Sequence, residues 1–153
     1  MSATVLFVCL GNICRSPTAE AVFRKRATDA GLNLRIESAG TGGWHRGEPP
    51  DPRARDAGEL RGYSFAGQEA RKVEQNDFAV FDLILAMDQR NHTDLHAACP
   101  KPHRGKIKLF LDFAPHLTVR EVPDPYYGGA DGFDQVLDLV EAASDGLITK
   151  LRP

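Results

Sequence analysis

The sequence predicts an open, mostly parallel α/β sheet. Short apolar runs rich in β-formers recur along the chain, and segments with helical periodicity separate them. The most reactive-looking turn also follows the first of these runs, where such sheets hold their ligands.

Val5-Leu6-Phe7-Val8 is continuously apolar, as a strand covered on both faces must be. Ser16 is placed to cap the following helix, Pro17 suits its first position, and Glu20 complements its positive end. Ala19, Val22, Phe23, Ala27 and Ala30 then recur with helical spacing until Gly31 ends the helix. Leu34, Ile36 and Ser38 alternate with Arg35 and Glu37, the pattern of a second and more exposed strand. Residues 40–52 form a turn-rich loop, and Asp51-Pro52 opens a short helix that stops at Gly62. Leu83-Ile84-Leu85-Ala86-Met87 is the third strand and Ile107-Lys108-Leu109-Phe110-Leu111 the fourth, with Cys99-Pro100 ending a helix between them. Phe133, Val136, Leu137, Val140, Ser144, Leu147, Ile148 and Leu151 make one stripe of a long final helix.

Composition narrows the class. A chain of 153 residues can bury a sizeable core and suits one domain, and 42% hydrophobic with 26% charged residues is ordinary for a globular protein. A formal net charge of −2 gives no bulk attraction to nucleic acid or to a membrane surface. No run approaches the roughly 20 apolar residues of a membrane span. The opening Met1-Ser2-Ala3-Thr4 lacks the basic start of a secretory leader. Three cysteines, at 9, 14 and 99, build no disulfide framework and suit a reducing compartment, so a cytoplasmic protein is the expectation.

The chemistry is concentrated in Cys9-Leu10-Gly11-Asn12-Ile13-Cys14-Arg15-Ser16. A loop between a strand and a helix can turn its amides onto one anion, and the helix N-terminus adds positive potential. Arg15, six positions after Cys9, offers a planar two-pronged donor, and Gly11 and Asn12 tolerate the backbone angles such a loop needs. The same field acts on the Cys9 sulfur. A thiol of pKa about 8.5 is roughly 3% thiolate at pH 7, and lowering that value to about 5 takes roughly 4.8 kcal/mol of differential stabilisation. Burial of Cys9 as a plain small hydrophobe does not account for the arginine. The Cys9 and Cys14 spacing is not that of a zinc clip, no downstream ligand pair completes one, and no Gly-Lys-Ser/Thr marks a nucleotide loop, so no metal or cofactor is expected.

Asp124-Pro125-Tyr126-Tyr127 precedes the last helix. It reads as a simple turn, or as the loop bearing an acid that protonates a departing oxygen. The second role needs the Asp124 proton retained above the usual carboxylate pKa of about 3.9, through burial beside the tyrosines or repulsion from phosphate. Trp44, the only tryptophan, sits in a Gly-flanked polar loop without strand or helix periodicity, which suits a cleft wall shared with Tyr126 and Tyr127. His45, His92, His96, His103 and His116 lie on polar segments and receive no role.

The stretch from Val8 to Pro17 resembles the signature of the low-molecular-weight protein tyrosine phosphatases. Ser38-Ala39-Gly40-Thr41, Trp44-His45-Arg46-Gly47, Pro50-Asp51, the stretch from Phe81 to Asp88 and Asp124-Pro125-Tyr126-Tyr127-Gly128 resemble the family's later blocks, in order along nearly the whole chain. The resemblance implies a single domain over residues 1–153, with a four-stranded parallel sheet flanked by helices on both faces and the phosphate-binding loop after the first strand. It implies hydrolysis of protein phosphotyrosine, with Cys9 as nucleophile, Arg15 as phosphate clamp and Asp124 as general acid and then base. The amides of residues 10–15 bind the phosphoryl oxygens in this reading, Asn12 holds the loop's shape, and Ser16 stabilises the Cys9 thiolate. Cys14 is the redox partner, forming a reversible disulfide that shields Cys9 from over-oxidation. The implied partners are tyrosine-phosphorylated proteins and a cognate tyrosine kinase, for a chain that is mostly monomeric. One departure stands out: members often carry a histidine that supports the loop through Asn12, three positions before an arginine, and here that position is Gln68.

Two relatives of the same fold are weaker readings. Arsenate reduction needs thiols that relay a disulfide outward, and Cys99 has no neighbouring cysteine in sequence. Removal of phosphate from arginine goes with a threonine at the place of Ile13, and an isoleucine there favours an aryl substrate. A phosphate-binding module without turnover leaves Asp124 unexplained.

Overall fold

In a computed structural model, which describes residues 3–126, 129 and 131–152, four parallel strands lie side by side in the order β2-β1-β3-β4. They are β1 (Thr4–Cys9), β2 (Arg35–Gly40), β3 (Leu83–Ala86) and β4 (Ile107–Leu109). Among the described residues, five α-helices connect and cover them: α1 (Arg15–Asp29), α2 (Pro52–Leu60), α3 (Gln75–Val80), α4 (Gln89–Ala98) and α5 (Asp131–Leu151). The expected parallel α/β architecture is therefore the observed one.

β1 is central, pairing with β2 from Thr4 against Arg35 to Cys9 against Gly40, and with β3 from Val5 against Leu83 to Val8 against Ala86. Its period-2 alternation divides the core in two. Val5, Phe7 and Cys9 join Phe23 of α1, Phe110 and Val140 of α5, whereas Leu6 and Val8 join Phe78 of α3, Phe81 and Leu95 of α4. Phe7 meets Phe23 and Phe110 edge-on at 5.6 and 4.9 Å, contacts worth about 1 kcal/mol each beyond their buried area. Helices thus cover both faces, and every interior strand must be apolar throughout.

Three local expectations need correction. Ser16 does not cap α1: the helix begins at Arg15, the capping position is Cys14 without a side-chain cap bond, and Pro17 is the third helical residue. The Ser16 hydroxyl is fully buried and turned towards Cys9 instead. The fourth strand is shorter than the apolar run suggests, because Phe110–Phe113 winds into a 3-10 turn. The Arg120 guanidinium collects the carbonyls of Leu111, Ala114 and Leu117 there, replacing the sheet ladder as their partner. α3 was not anticipated, since its six residues are too few to show a period; Asp77 accepts from the Glu74 amide at 2.7 Å and fixes its start. Asp51 and Gly62, by contrast, bound α2 as read, with Asp51 accepting from the Arg53 amide at 2.8 Å and Gly62 at φ 89°.

Candidate active site

β1 delivers Cys9 to the carboxyl edge of the sheet, and the chain then turns through residues 10–14 before α1 begins at Arg15. The carbonyls along this turn are engaged by the surrounding protein: Cys9 by the Thr41 amide, Leu10 by Gly42, Ile13 by Asp51 and Cys14 by Thr18, at 2.9, 2.9, 2.8 and 3.2 Å. The Asn12 amide donates to Cys9 Sγ at 3.3 Å. Gly40 is required beside the turn, because a Cβ there would fall 2.7 Å from the Leu10 carbonyl oxygen.

Asn12 is the only described non-glycine residue at positive φ, 59°, and it is 2% exposed. Such a conformation costs roughly 1–2 kcal/mol and persists where the surroundings over-determine it. Three bonds do so: Nδ2 donates to Ser16 Oγ at 2.8 Å and to Ser38 Oγ at 3.0 Å, and Oδ1 accepts from the Arg71 amide at 3.0 Å. Ser16 Oγ, which accepts from Asn12, lies 3.0 Å from Cys9 Sγ and 3.4 Å from the Ala39 carbonyl, so its hydroxyl is shared between the sulfur and a longer main-chain contact. Gln68 does not reach Asn12. Its Nε2 donates to the Pro17 carbonyl at 3.1 Å, and its buried Oε1 meets no partner among the described residues. Asn12 is therefore supported by a main-chain amide and Ser38 rather than by the side chain at position 68.

The Arg15 side chain is 4% exposed. Its Nη1 donates to Asp88 Oδ2 at 2.6 Å and to the Val122 carbonyl at 3.0 Å, and Nη2 lies 3.9 Å from Asp124 Oδ2. Burial works against the charge, but the Cys9 sulfur, the bond to Asp88 and the carboxylates of Asp88 and Asp124 outweigh it and hold Arg15 above its ordinary pKa. Asp88 also caps α4 through the Asn91 amide at 2.8 Å. The Asp124 segment is drawn in by the same groups, since the Val122 amide donates to the Met87 carbonyl at 2.8 Å.

These elements enclose a pocket of about 260 Å³. Cys9, Ile13, Cys14 and Arg15 lie at its base with Leu10 and Gly11, and Asp124, Tyr126, Trp44 and His45 stand around it. Asn12 and Ser16 sit behind the turn as its supports. Asp124 is 44% exposed, and its Oδ1 accepts from the Tyr126 amide at 3.0 Å. Trp44, 72% exposed, packs against Gly42, where a Cβ would fall 1.9 Å from its ring. Tyr127 lies outside the described residues. Cys14 is 5% exposed, and burial, Asp51 and Cys9 push its thiol up to about 12.

Two lining or supporting residues escaped the sequence reading. His45 was given no role, yet its ring approaches Gly11 so closely that a Cβ there would fall 3.0 Å from Cδ2, and its Nδ1 lies 3.0 Å from Glu48 Oε2. Asp88 was part of a recognised block without a function. Its signal was available as an acidic residue at the end of an apolar strand, the place where a buried arginine of the same edge finds its counter-charge.

Among the described residues no group of three or more His, Cys, Asp or Glu side chains is arranged to hold a metal ion, and no helix is long and apolar enough to cross a membrane.

Residues 4–153 match the family model described as low molecular weight phosphotyrosine protein phosphatase. The chain is 46% identical to a low molecular weight protein-tyrosine-phosphatase of Streptomyces coelicolor, over 99% of this chain and 95% of the other. It is likewise 46% identical to a low molecular weight phosphotyrosine protein phosphatase of Schizosaccharomyces pombe, over 94% of both. A crystal structure of protein tyrosine phosphatase from Entamoeba histolytica superposes with a TM-score of 0.95 at 45% identity, covering 98% of this chain and 97% of that one.

Proposed function

This chain belongs to the low molecular weight phosphotyrosine protein phosphatase family, and we propose that it hydrolyses phosphotyrosine in proteins through a phosphocysteine intermediate on Cys9. The observation that carries the reading is the convergence of Cys9, Arg15 and Asp124 on one pocket, with Arg15 and Asp124 3.9 Å apart.

Cys9 attacks phosphorus as the thiolate, supported by the Asn12 amide and the Ser16 hydroxyl. As the S–P bond forms and the P–O bond to tyrosine breaks, Asp124 gives its proton to the departing phenolic oxygen. Water then attacks phosphorus, its proton passes to Asp124, the S–P bond breaks, and inorganic phosphate leaves with Cys9 again a thiolate. No step uses a metal. With the Cys9, Leu10, Ile13 and Cys14 carbonyls occupied by protein and the Asn12 amide on the sulfur, the turn's other N–H groups and the uncapped start of α1 serve the equatorial oxygens, alongside Arg15.

Trp44 and Tyr126 stand as apolar walls for a flat ring beside Ile13, and phosphoserine is too short to reach Cys9 between them. Tyrosine-phosphorylated proteins are then the substrates, a cognate tyrosine kinase the opposing enzyme, and the cytoplasm the compartment. Cys14 is the resolving thiol: after peroxide converts Cys9 to a sulfenic acid, the Cys14 sulfur displaces water from it and closes a disulfide that a thiol reductant reopens.

The test is hydrolysis of an aryl phosphate by the wild type and Cys9→Ser in the presence of chelator. Activity that survives chelation and disappears in the variant is expected. Activity retained by Cys9→Ser overturns the nucleophile, and loss on chelation overturns metal independence.

A further inference from the structure

Asp51 and Arg53 form a fork against the back of the pocket. Asp51 is 8% exposed, and its amide donates to the Ile13 carbonyl at 2.8 Å, which joins the start of α2 to the phosphate-loop turn. Its carboxylate accepts from the Arg53 side chain twice, Oδ1 from Nε at 3.2 Å and Oδ2 from Nη2 at 3.0 Å.

The far side of Arg53 meets the segment that carries the acid. Nη2 donates to the Tyr126 carbonyl at 3.1 Å, and the guanidinium carbon lies 5.5 Å from the Tyr126 ring centroid and 4.9 Å from that of Phe133 in the first turn of α5. The Tyr126 amide in turn donates to Asp124 Oδ1. A run of polar contacts, none longer than 3.2 Å, therefore connects Ile13 to Asp124 through Asp51, Arg53 and Tyr126. Upstream of Asp124, a separate hold comes from the Val122 carbonyl on Arg15 and from Glu121, which accepts from the Gln89 amide at 2.8 Å.

Only a planar, delocalised cation can fork a carboxylate in its plane while stacking against two rings. Arg53 neither lines the pocket nor approaches Cys9, Arg15 or Asp124 within bonding distance. Proton transfer to a leaving group tolerates little misplacement, with about 1 Å costing of order a hundredfold. A residue that holds Tyr126 to the turn thus governs how far Asp124 stands from the ester oxygen.

We propose that Arg53 is a positioning residue for the leaving-group step: it holds the Asp124–Tyr126 segment in register with the phosphate loop, and acts on the reaction through Asp124 alone. The proposal rests on the reading of Asp124 as general acid. It predicts a defect that depends on how much help the leaving group needs.

The experiment measures kcat/KM over aryl phosphates from poor to strongly activated leaving groups for the wild type, Arg53→Met, Asp124→Ala and the double variant. Inorganic phosphate as competitive inhibitor and thermal melting accompany each. Methionine keeps the unbranched apolar stem of Arg53 and removes the fork and the charge. Arg53→Met is expected to lose about tenfold on the poorest leaving group and under threefold on the most activated, with phosphate inhibition within twofold of wild type. In the Asp124→Ala background it should add no further leaving-group dependence. Arg53→Lys, which keeps the charge but not the fork, gives a second folded variant and should fall between wild type and Arg53→Met. An equal loss across all leaving groups, a parallel loss of phosphate inhibition, or unchanged kinetics in Arg53→Met and Arg53→Lys overturns the proposal while Asp124→Ala still discriminates. A flat Asp124→Ala profile overturns the general-acid assignment and this proposal with it.

Discussion

Asp88 Oδ2 stands 2.6 Å from Arg15 Nη1, so the residue that caps α4 is also the counter-charge of the buried arginine. One edge of the guanidinium is committed to Asp88 and to the Val122 carbonyl, which fixes the direction in which the remaining donors face.

Asp88→Asn separates these two duties, because asparagine caps a helix nearly as well as aspartate but carries no charge. Its kcat/KM on an aryl phosphate should fall about tenfold, which corresponds to roughly 1.4 kcal/mol of lost transition-state stabilisation. Asp88→Ala should show the same kinetic loss and, separately, be about 1 kcal/mol less stable to unfolding than Asp88→Asn through the missing cap. Steady-state kinetics and denaturant titration of both variants check this.

The two loop cysteines should differ in reactivity. With its thiol pushed up to about 12, Cys14 is almost wholly protonated at pH 7. Iodoacetamide at neutral pH should therefore label Cys9 and leave Cys14 free, as peptide mass mapping would show. Peroxide inactivation of the wild type should be reversed by a thiol reductant, and Cys14→Ser should make the loss permanent.

Asn12 combines a strained backbone with three side-chain bonds, and two substitutions distinguish the contributions. Asn12→Gly relieves the backbone and loses the bonds, whereas Asn12→Ala loses the bonds and keeps the strain. The alanine variant should be less stable than the glycine variant by roughly 1–2 kcal/mol, and both should be slower than wild type. Denaturant midpoints rank the pair, and kcat reports how far each loosens the loop.

Acid should weaken the Asp51 contribution. Burial works against the Asp51 charge, but the Arg53 bonds outweigh it and hold the carboxyl below its usual range. A carboxylate depressed in the folded state stabilises fully above its unfolded pKa of about 3.9, and that stability is lost as pH falls through the folded value. The stability gap between wild type and Asp51→Asn should thus be constant above about pH 5 and close progressively below pH 4. Melting temperatures measured in matched buffers from pH 3 to pH 7 test it.

The phosphate-loop turn was legible because Cys9, Asn12, Arg15 and Ser16 are adjacent in sequence, so spacing alone expresses their geometry. Strand positions were equally legible, since a central parallel strand must be apolar on both faces. Asp88, His45 and Arg53 were not assigned, because each acts through a contact with a residue far along the chain and leaves no local pattern. Ser16 was misread for the opposite reason. Its local context suggests a helix cap, whereas the family resemblance put it beside Cys9, and its hydroxyl lies 3.0 Å from that sulfur. Gln68 illustrates a third case: the family pattern locates the position, but the hydrogen bonds of Asn12 had to be seen before the substitution could be judged.

Trp44 is the sole tryptophan of the chain, and it lies on Gly42 at the rim of the pocket, 72% exposed. The molecule therefore has a native optical sensor at its entrance and no other indole to dilute the signal. Selective excitation of that ring reads ligand arrival, departure and oxidation of the loop directly, in the unmodified protein and on the timescale of a stopped-flow trace.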